Sequence, residues 1–181
     1  MEIHDAIELL RDAVGDGTVG GVWADLGAGT GTFTRALVAL LGPGSTIYAV
    51  DDDATAVRAL RALPSMTAAQ VIAVKGDFTQ PLVLPDIGDA ALDGVLLANA
   101  LHFVRDAGAV LGRVVERVRP GGRIIVVEYD RREASRWVPY PISPSRWLDL
   151  ANGAGLGTAS ITATRPSEYQ GMLYVGAATK R

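Results

Sequence analysis

The sequence has no cysteine, so disulfides, iron–sulfur clusters and thiol nucleophiles are excluded before any motif is read. Its two histidines, His4 and His102, lie far apart in the chain and do not have the spacing of a structural zinc site. Basic residues are not clustered. With 17 Lys and Arg against 20 Asp and Glu, a net charge of −3 and a pI of about 5.3, the chain lacks the electrostatic footprint of a nucleic-acid binder. No apolar run approaches the roughly 18 residues of a membrane span, and the N-terminus carries Glu2, Asp5 and Glu8 where a signal peptide is basic. These absences predict a cytoplasmic protein that engages neither nucleic acid nor membrane. At 181 residues the chain suits one domain, residues 1–181, of a size that buries roughly 70% of its unfolded surface.

Glycine, by contrast, is plentiful, and three glycines fall at alternate positions in Ala24-Asp25-Leu26-Gly27-Ala28-Gly29-Thr30-Gly31-Thr32. An apolar run at 22–26 breaks into this G-x-G-x-G turn and then becomes helical. Glycine is needed where the backbone takes positive φ or where a ligand approaches too closely for a Cβ, so the pattern predicts a nucleotide-binding crevice. A dinucleotide fingerprint places its third glycine one position later, where this chain has Thr32. About twenty residues on, a second strand at 46–50 ends in Asp51-Asp52-Asp53 and sets a carboxylate where a ribose diol is held. Asp53 has the position of a helix N-cap. The predicted crevice carries Asp25, Asp51 and Asp77, and no Lys or Arg lies between residues 22 and 34. An acidic lining suits a net cationic ligand better than a pyrophosphate.

Along the chain, Ile3, Ile7, Leu10 and Val14 recur at helical spacing and predict an amphipathic first helix laid over the sheet or across the crevice. Strands at 22–26, 46–50, 71–75, 92–98 and 124–127 alternate with helices at about 32–41 and 53–63. A third helical stripe runs from Val110 to Val118 and stops before Pro120. Residues 79–89, with Pro81 and Pro85 and no helical period, predict a crossover made mostly of loop. Such alternation implies parallel strands joined by right-handed crossovers. Ser143 as N-cap and Pro144 at the first helical position open a last helix that Gly155 closes. Strand-like runs at 158–164 and 172–178 have no helix between them, which permits an antiparallel hairpin only.

In these residues the chain resembles the class I S-adenosylmethionine-dependent methyltransferases. Asp25 to Gly31 fits their D/E-x-G-x-G-x-G turn, and Asp51 fits the acid closing the second strand. Lys75-Gly76-Asp77-Phe78 fits the adenine segment, residues 93–99 the fourth strand, and Arg119-Pro120-Gly121-Gly122-Arg123 the turn before the fifth. The resemblance implies an α/β three-layer, doubly wound sandwich, the Rossmann-like methyltransferase fold. Its seven-stranded sheet is mostly parallel and ends in an antiparallel C-terminal hairpin. It implies S-adenosylmethionine as cofactor, held by Asp25, Gly27, Ala28, Gly29, Gly31, Asp51, Asp52, Asp77, Phe78 and Asn99. Asn99 is followed by Ala100-Leu101-His102, unlike the Pro-Pro-Tyr of the nucleic-acid amino-methylating branch, and no acidic metal ligand stands there. The expected reaction is therefore metal-independent transfer to a small-molecule acceptor by a monomer or homodimer. Such a displacement needs alignment above all, and a base only when the acceptor must lose a proton. His102 and Asn99, at the carboxyl end of the fourth strand, are the candidate catalytic residues. Tyr129, Arg131, Trp137, Tyr140 and Trp147 concentrate the scarce aromatics after the fifth strand and are the candidate acceptor pocket. An NAD(P)-dependent oxidoreductase and a non-catalytic S-adenosylmethionine-binding module are the alternatives.

Overall fold

The first helix, α1 (Ile3–Val14), turns Ala6, Leu9, Leu10, Ala13 and Val14 to one buried face and stops where Gly15 takes φ 85°. At that end the Arg123 guanidinium donates to the Ala13 carbonyl at 2.8 Å, satisfying one of the acceptors a helix terminus leaves open. The computed structural model describes residues 1–15, 20–63, 69–89, 91–130, 133–167 and 171–181. After α1 come β1 (Gly21–Leu26), α2 (Thr32–Leu41), β2 (Ser45–Asp51), α3 (Ala54–Arg61), β3 (Ala69–Lys75) and β4 (Leu92–Ala98). A short 3-10 turn (Leu101–Phe103) precedes α4 (Ala107–Glu116), β5 (Val118–Tyr129), α5 (Pro144–Gly153), β6 (Leu156–Pro166) and β7 (Met172–Lys180). Two helix starts follow the predicted chemistry: Asp53 accepts from the N–H groups of Thr55 and Ala56, and Ser143 from that of Arg146 with Pro144 beside it. Asp106, which sequence reasoning missed, caps α4 by accepting from the Ala109 N–H.

The seven strands form one sheet in the order β3-β2-β1-β4-β5-β7-β6. The first five are parallel, and β7 runs antiparallel between β5 and β6. Because side chains alternate across a strand, each central strand feeds two cores. Leu26, Tyr48, Val95, Val126 and Tyr174 point to the face covered by α4 and α5. Trp23, Ile47, Leu96, Ile125 and Val175 point to the face covered by α1 and α2, where Leu10 and Leu37 are also buried. Leu60 of α3 adds a satellite cluster with Ala28 and Ala49. Strand order reverses at β1, whose neighbours are β2 and β4, so the crevice of this sheet lies at their carboxyl ends.

The seven-stranded, mostly parallel sheet with its antiparallel hairpin is the fold expected. The boundary that differs most is the start of β5. Val118, read as the last residue of a helical stripe, instead opens β5 opposite Leu92, and α4 ends at Glu116. Gly94 then pairs with Arg123, so residues 119–122 leave the ladder and return to it.

Candidate active site

The crevice is built from the ends of four strands. Asp25, next to last in β1, is fully buried. Its Oδ2 accepts the Thr34 hydroxyl at 2.6 Å, and its Oδ1 has no partner. Burial raises its carboxyl to about 7, with the Thr34 hydrogen bond opposing the rise and the nearby Asp51 charge adding to it. Gly27 then turns the chain at φ 77°, and a Cβ there would stand 2.7 Å from the Ala100 Cβ, so the position admits only glycine. Ala28 is buried and donates its N–H to the Val50 carbonyl. Gly31, also left-handed, launches α2 directly.

Asp51, at the end of β2, ties this turn to the next helix: Oδ2 accepts the Gly29 N–H at 2.8 Å and Oδ1 the Asp53 N–H at 2.9 Å. Asp52 beside it is exposed. Asp77 accepts both the N–H and the hydroxyl of Thr79, at 2.8 and 2.6 Å, which fixes the segment that presents Phe78. Asn99, just past β4, adopts φ 53°, a left-handed conformation uncommon outside glycine. Its N–H donates to the Val127 carbonyl at 2.8 Å, while its Oδ1 is buried without a partner.

Two cavities meet at Gly27 and Asn99. The first, about 390 Å³, is lined by Asp25, Ala28, Gly29, Phe33 and Tyr129 among others. The second, about 430 Å³, is lined by Asp51, Asp52, Asp77, Phe78 and Phe103. The residues expected to hold the cofactor therefore all cluster at the crevice, Gly31 as the hinge into α2. Sequence reasoning missed Met1 and the stretch Arg165-Pro166-Ser167, which also line the first cavity. Asp5 and Arg165 form an ion pair of 2.7 Å that brings α1 to the end of β6 beside it. No sequence pattern signals a contact across that separation.

His102 is 2% exposed in the 3-10 turn. Its Nδ1 lies 2.6 Å from Glu128 Oε2, and its backbone N–H donates to Glu128 Oε1 at 3.1 Å. Glu128, next to last in β5, is fully buried, and burial raises its carboxyl while the His102 hydrogen bonds oppose the rise. A carboxylate accepting at Nδ1 fixes the proton there and leaves Nε2 as the basic nitrogen. The His102 ring is 4.4 Å from Phe103, which lines the second cavity, and 6.0 Å from Tyr129, which lines the first. Sequence reasoning also missed Glu128. The available signal is a lone acid at the end of an otherwise apolar strand, since a buried carboxylate requires a partner.

The expected acceptor residues do not all gather. Tyr129 lines the first cavity, and Tyr140 donates its backbone N–H to the His102 carbonyl at 3.0 Å. Trp137 is 74% exposed, with the Arg136 guanidinium 5.5 Å above its ring. Trp147 is corrected: fully buried in the core, it fills the place of the Cβ that Gly176 lacks and reaches no crevice. Arg131 lies outside the described residues.

Residues 24–124 match the family model described as a methyltransferase domain. The chain belongs to this methyltransferase family. A highly reducing polyketide synthase, ACTTS3 of Alternaria alternata, is 26% identical over 137 residues, which is 75% of this chain and 6% of the synthase. The chain thus spans a small fraction of that relative. Human N-acetylserotonin methyltransferase, solved with S-adenosylmethionine, superposes with a TM-score of 0.70 at 23% identity, over 97% of this chain and 51% of the other. The 1,6-didemethyltoxoflavin-N1-methyltransferase of Burkholderia thailandensis, solved with S-adenosylhomocysteine, gives 0.71 at 22% identity, over 98% and 77%.

The chemistry of the crevice suits S-adenosylmethionine. Two buried, partnerless acceptors, Asp25 Oδ1 and Asn99 Oδ1, line the first cavity and call for a donor such as an ammonium. Three acids, Asp51, Asp52 and Asp77, line the second with Phe78, a setting for a diol and an aromatic ring. None of the lining residues of that cavity is basic.

Proposed function

We propose that this methyltransferase acts on a small organic acceptor whose nucleophilic atom must lose a proton, with His102 as the general base and Glu128 as its positioning residue. The observation that carries this reading is the buried His102–Glu128 contact of 2.6 Å beside both cavities. Bound at the crevice, S-adenosylmethionine supplies an electrophilic methyl group with a thioether as leaving group. The residues of the chain do the rest. Asp25 and Asn99 hold the methionine end, and Asp51, Asp77 and Phe78 hold the nucleoside end. His102 takes the acceptor proton at Nε2 as the nucleophile reacts, and Glu128 stabilises the resulting imidazolium. Tyr129 and Phe103 supply apolar walls that exclude water.

A small acceptor is consistent with the names of the structural neighbours, which refer to N-acetylserotonin and 1,6-didemethyltoxoflavin. The reaction is proposed as metal-independent, and among the described residues no three His, Asp or Glu converge as a metal site. A single domain at 1–181, working in the cytoplasm as monomer or homodimer and without nucleic acid, completes the proposal. Among the described residues no helix is long and apolar enough to cross a membrane.

The test is to titrate His102→Ala and Glu128→Gln with S-adenosylhomocysteine and to assay turnover on a panel of phenols, amines and activated carbon acids. Turnover should fall roughly 10²- to 10⁴-fold in His102→Ala, the usual contribution of a positioned base. Glu128→Gln should shift the pH–rate profile, and cofactor affinity should hold in both. Turnover close to wild type in folded His102→Ala would remove the base.

A further inference from the structure

The face of the sheet under α4 and α5 lacks a cover where the third crossover passes. Between β3 and β4 the described residues contain no helix, and a loop carrying Pro81 and Pro85 takes its place. The loop is anchored at its far end, where Leu84 is buried and the Tyr48 hydroxyl donates to the Pro85 carbonyl at 2.6 Å. A cavity of about 340 Å³ remains between this loop, the sheet and α4. It is distinct from the crevice, sharing only Phe78 with the second cavity and nothing with the first. Its volume falls within the span of small-molecule pockets, roughly 300–1,000 Å³.

The chemistry of its wall is two-sided. Leu26, Leu82, Leu92, Val95 and Val114 are apolar, while Arg113 and Arg117 stand at the same cavity. Arg117 Nη1 pairs with Asp89, but its Nε is buried and has no acceptor. Arg113 is exposed on α4 and donates to the Thr79 carbonyl at 2.5 Å, and among the described residues no carboxylate pairs with it, so the buried Arg117 Nε is the principal unmet donor. Two acids also line the cavity. Asp89 is already engaged by Arg117 and its side chain is 91% exposed, and Glu116 is exposed on α4, so water screens both. What the cavity lacks is an acceptor with an apolar body: one anionic oxygen for the buried Nε and for Arg113, and an aliphatic chain for the valines and leucines.

The geometry points to a second ligand site here, specific for a small amphiphilic carboxylate. Its head group meets Arg117 and Arg113, and its chain lies along Val95 and Val114. The site does not depend on the acceptor chemistry proposed for the crevice.

Octanoate is the probe. The full chain is titrated calorimetrically with octanoate, octanol and octylammonium, each alone and again with S-adenosylhomocysteine at saturation. Arg117→Met removes the buried donor, and Val114→Phe fills the apolar half while keeping both guanidinium groups; unfolding curves confirm that each variant is folded. Octanoate should bind once per chain in both conditions, and octanol and octylammonium about tenfold or more weakly, the difference a charged hydrogen bond makes. Each folded variant should lose a similar factor. The site is overturned by the absence of saturable octanoate binding, by equal affinities for the three probes, by loss of binding under saturating S-adenosylhomocysteine, or by unchanged affinity in the variants.

Discussion

Asp25 holds a carboxyl in a place that solvent does not reach, and the consequence can be read as a pH dependence. The folded group keeps its proton up to about pH 7, whereas the ordinary value is 3.8. Between those values the folded state binds more protons than the unfolded state, so this group's contribution is fully present below pH 3.8 and is lost as pH rises through about 7. The loss is roughly 4 kcal/mol once both states are ionised. Urea unfolding of the cofactor-free protein across pH 4 to about 8 should show wild type declining relative to Asp25→Asn, and parallel profiles would disprove the assignment. Glycines of the same turn differ in what they tolerate. At Gly29 a Cβ meets nothing within 4 Å, so Gly29→Ala costs only the left-handed backbone, about 1–2 kcal/mol. Gly27→Ala adds a collision with Ala100 and should cost about 1–3 kcal/mol more, with equal losses in unfolding experiments as the contrary result. Asp25, Gly27 and Asp51 are legible in the sequence because spacing alone sets their roles. Glu128 is not, because its partner lies 26 residues away in a turn with no periodicity of its own.

At the scale of elements, two tryptophans interlock neighbouring elements by occupying the space of absent side chains. Trp23 on β1 packs where Gly94 on β4 has no Cβ, and Trp147 on α5 does the same at Gly176 on β7. Gly94→Ala should therefore destabilise the fold by about 1–3 kcal/mol through overpacking. Combined with Trp23→Leu it should cost less than the sum of the two single changes, because the smaller side chain yields the space. Additive losses in a double-mutant cycle would show that the two positions do not share it. The same interlock explains why Trp147 reads as an acceptor residue in the sequence: aromatic density near a crevice looks the same whether the rings face a ligand or a glycine on a distant strand. The strands themselves are legible, since burial on both faces writes them as apolar runs. The end of α4 is less so. Val118 continues the helical stripe of Leu111, Val114 and Val115 and equally suits a strand beside Leu92, and only the pairing decides.

For the molecule as a whole, the crevice is made by the carboxyl ends of β1, β2, β3 and β4, and its first cavity also by Met1 and the end of β6. The strand-end portion follows from the motifs and can be read from them. The closure by Met1 and Arg165 depends on packing between chain regions that share no local signal, and cannot. A ligand that spans both cavities contacts elements from most of the sheet, so it must stabilise the whole cooperative unit instead of one loop. S-adenosylhomocysteine at a hundred times its dissociation constant adds about 2.7 kcal/mol by mass action. For a domain of this size each kcal/mol raises the melting temperature by about 2–4 °C, so the expected rise is roughly 5–10 °C. NAD at the same concentration should leave the melting temperature where it is, because a pyrophosphate set against Asp51, Asp52 and Asp77 adds negative charge to an acidic cleft. A rise with NAD and none with S-adenosylhomocysteine would mean that the acids are neutralised in the folded crevice, and that its charge does not select the cofactor.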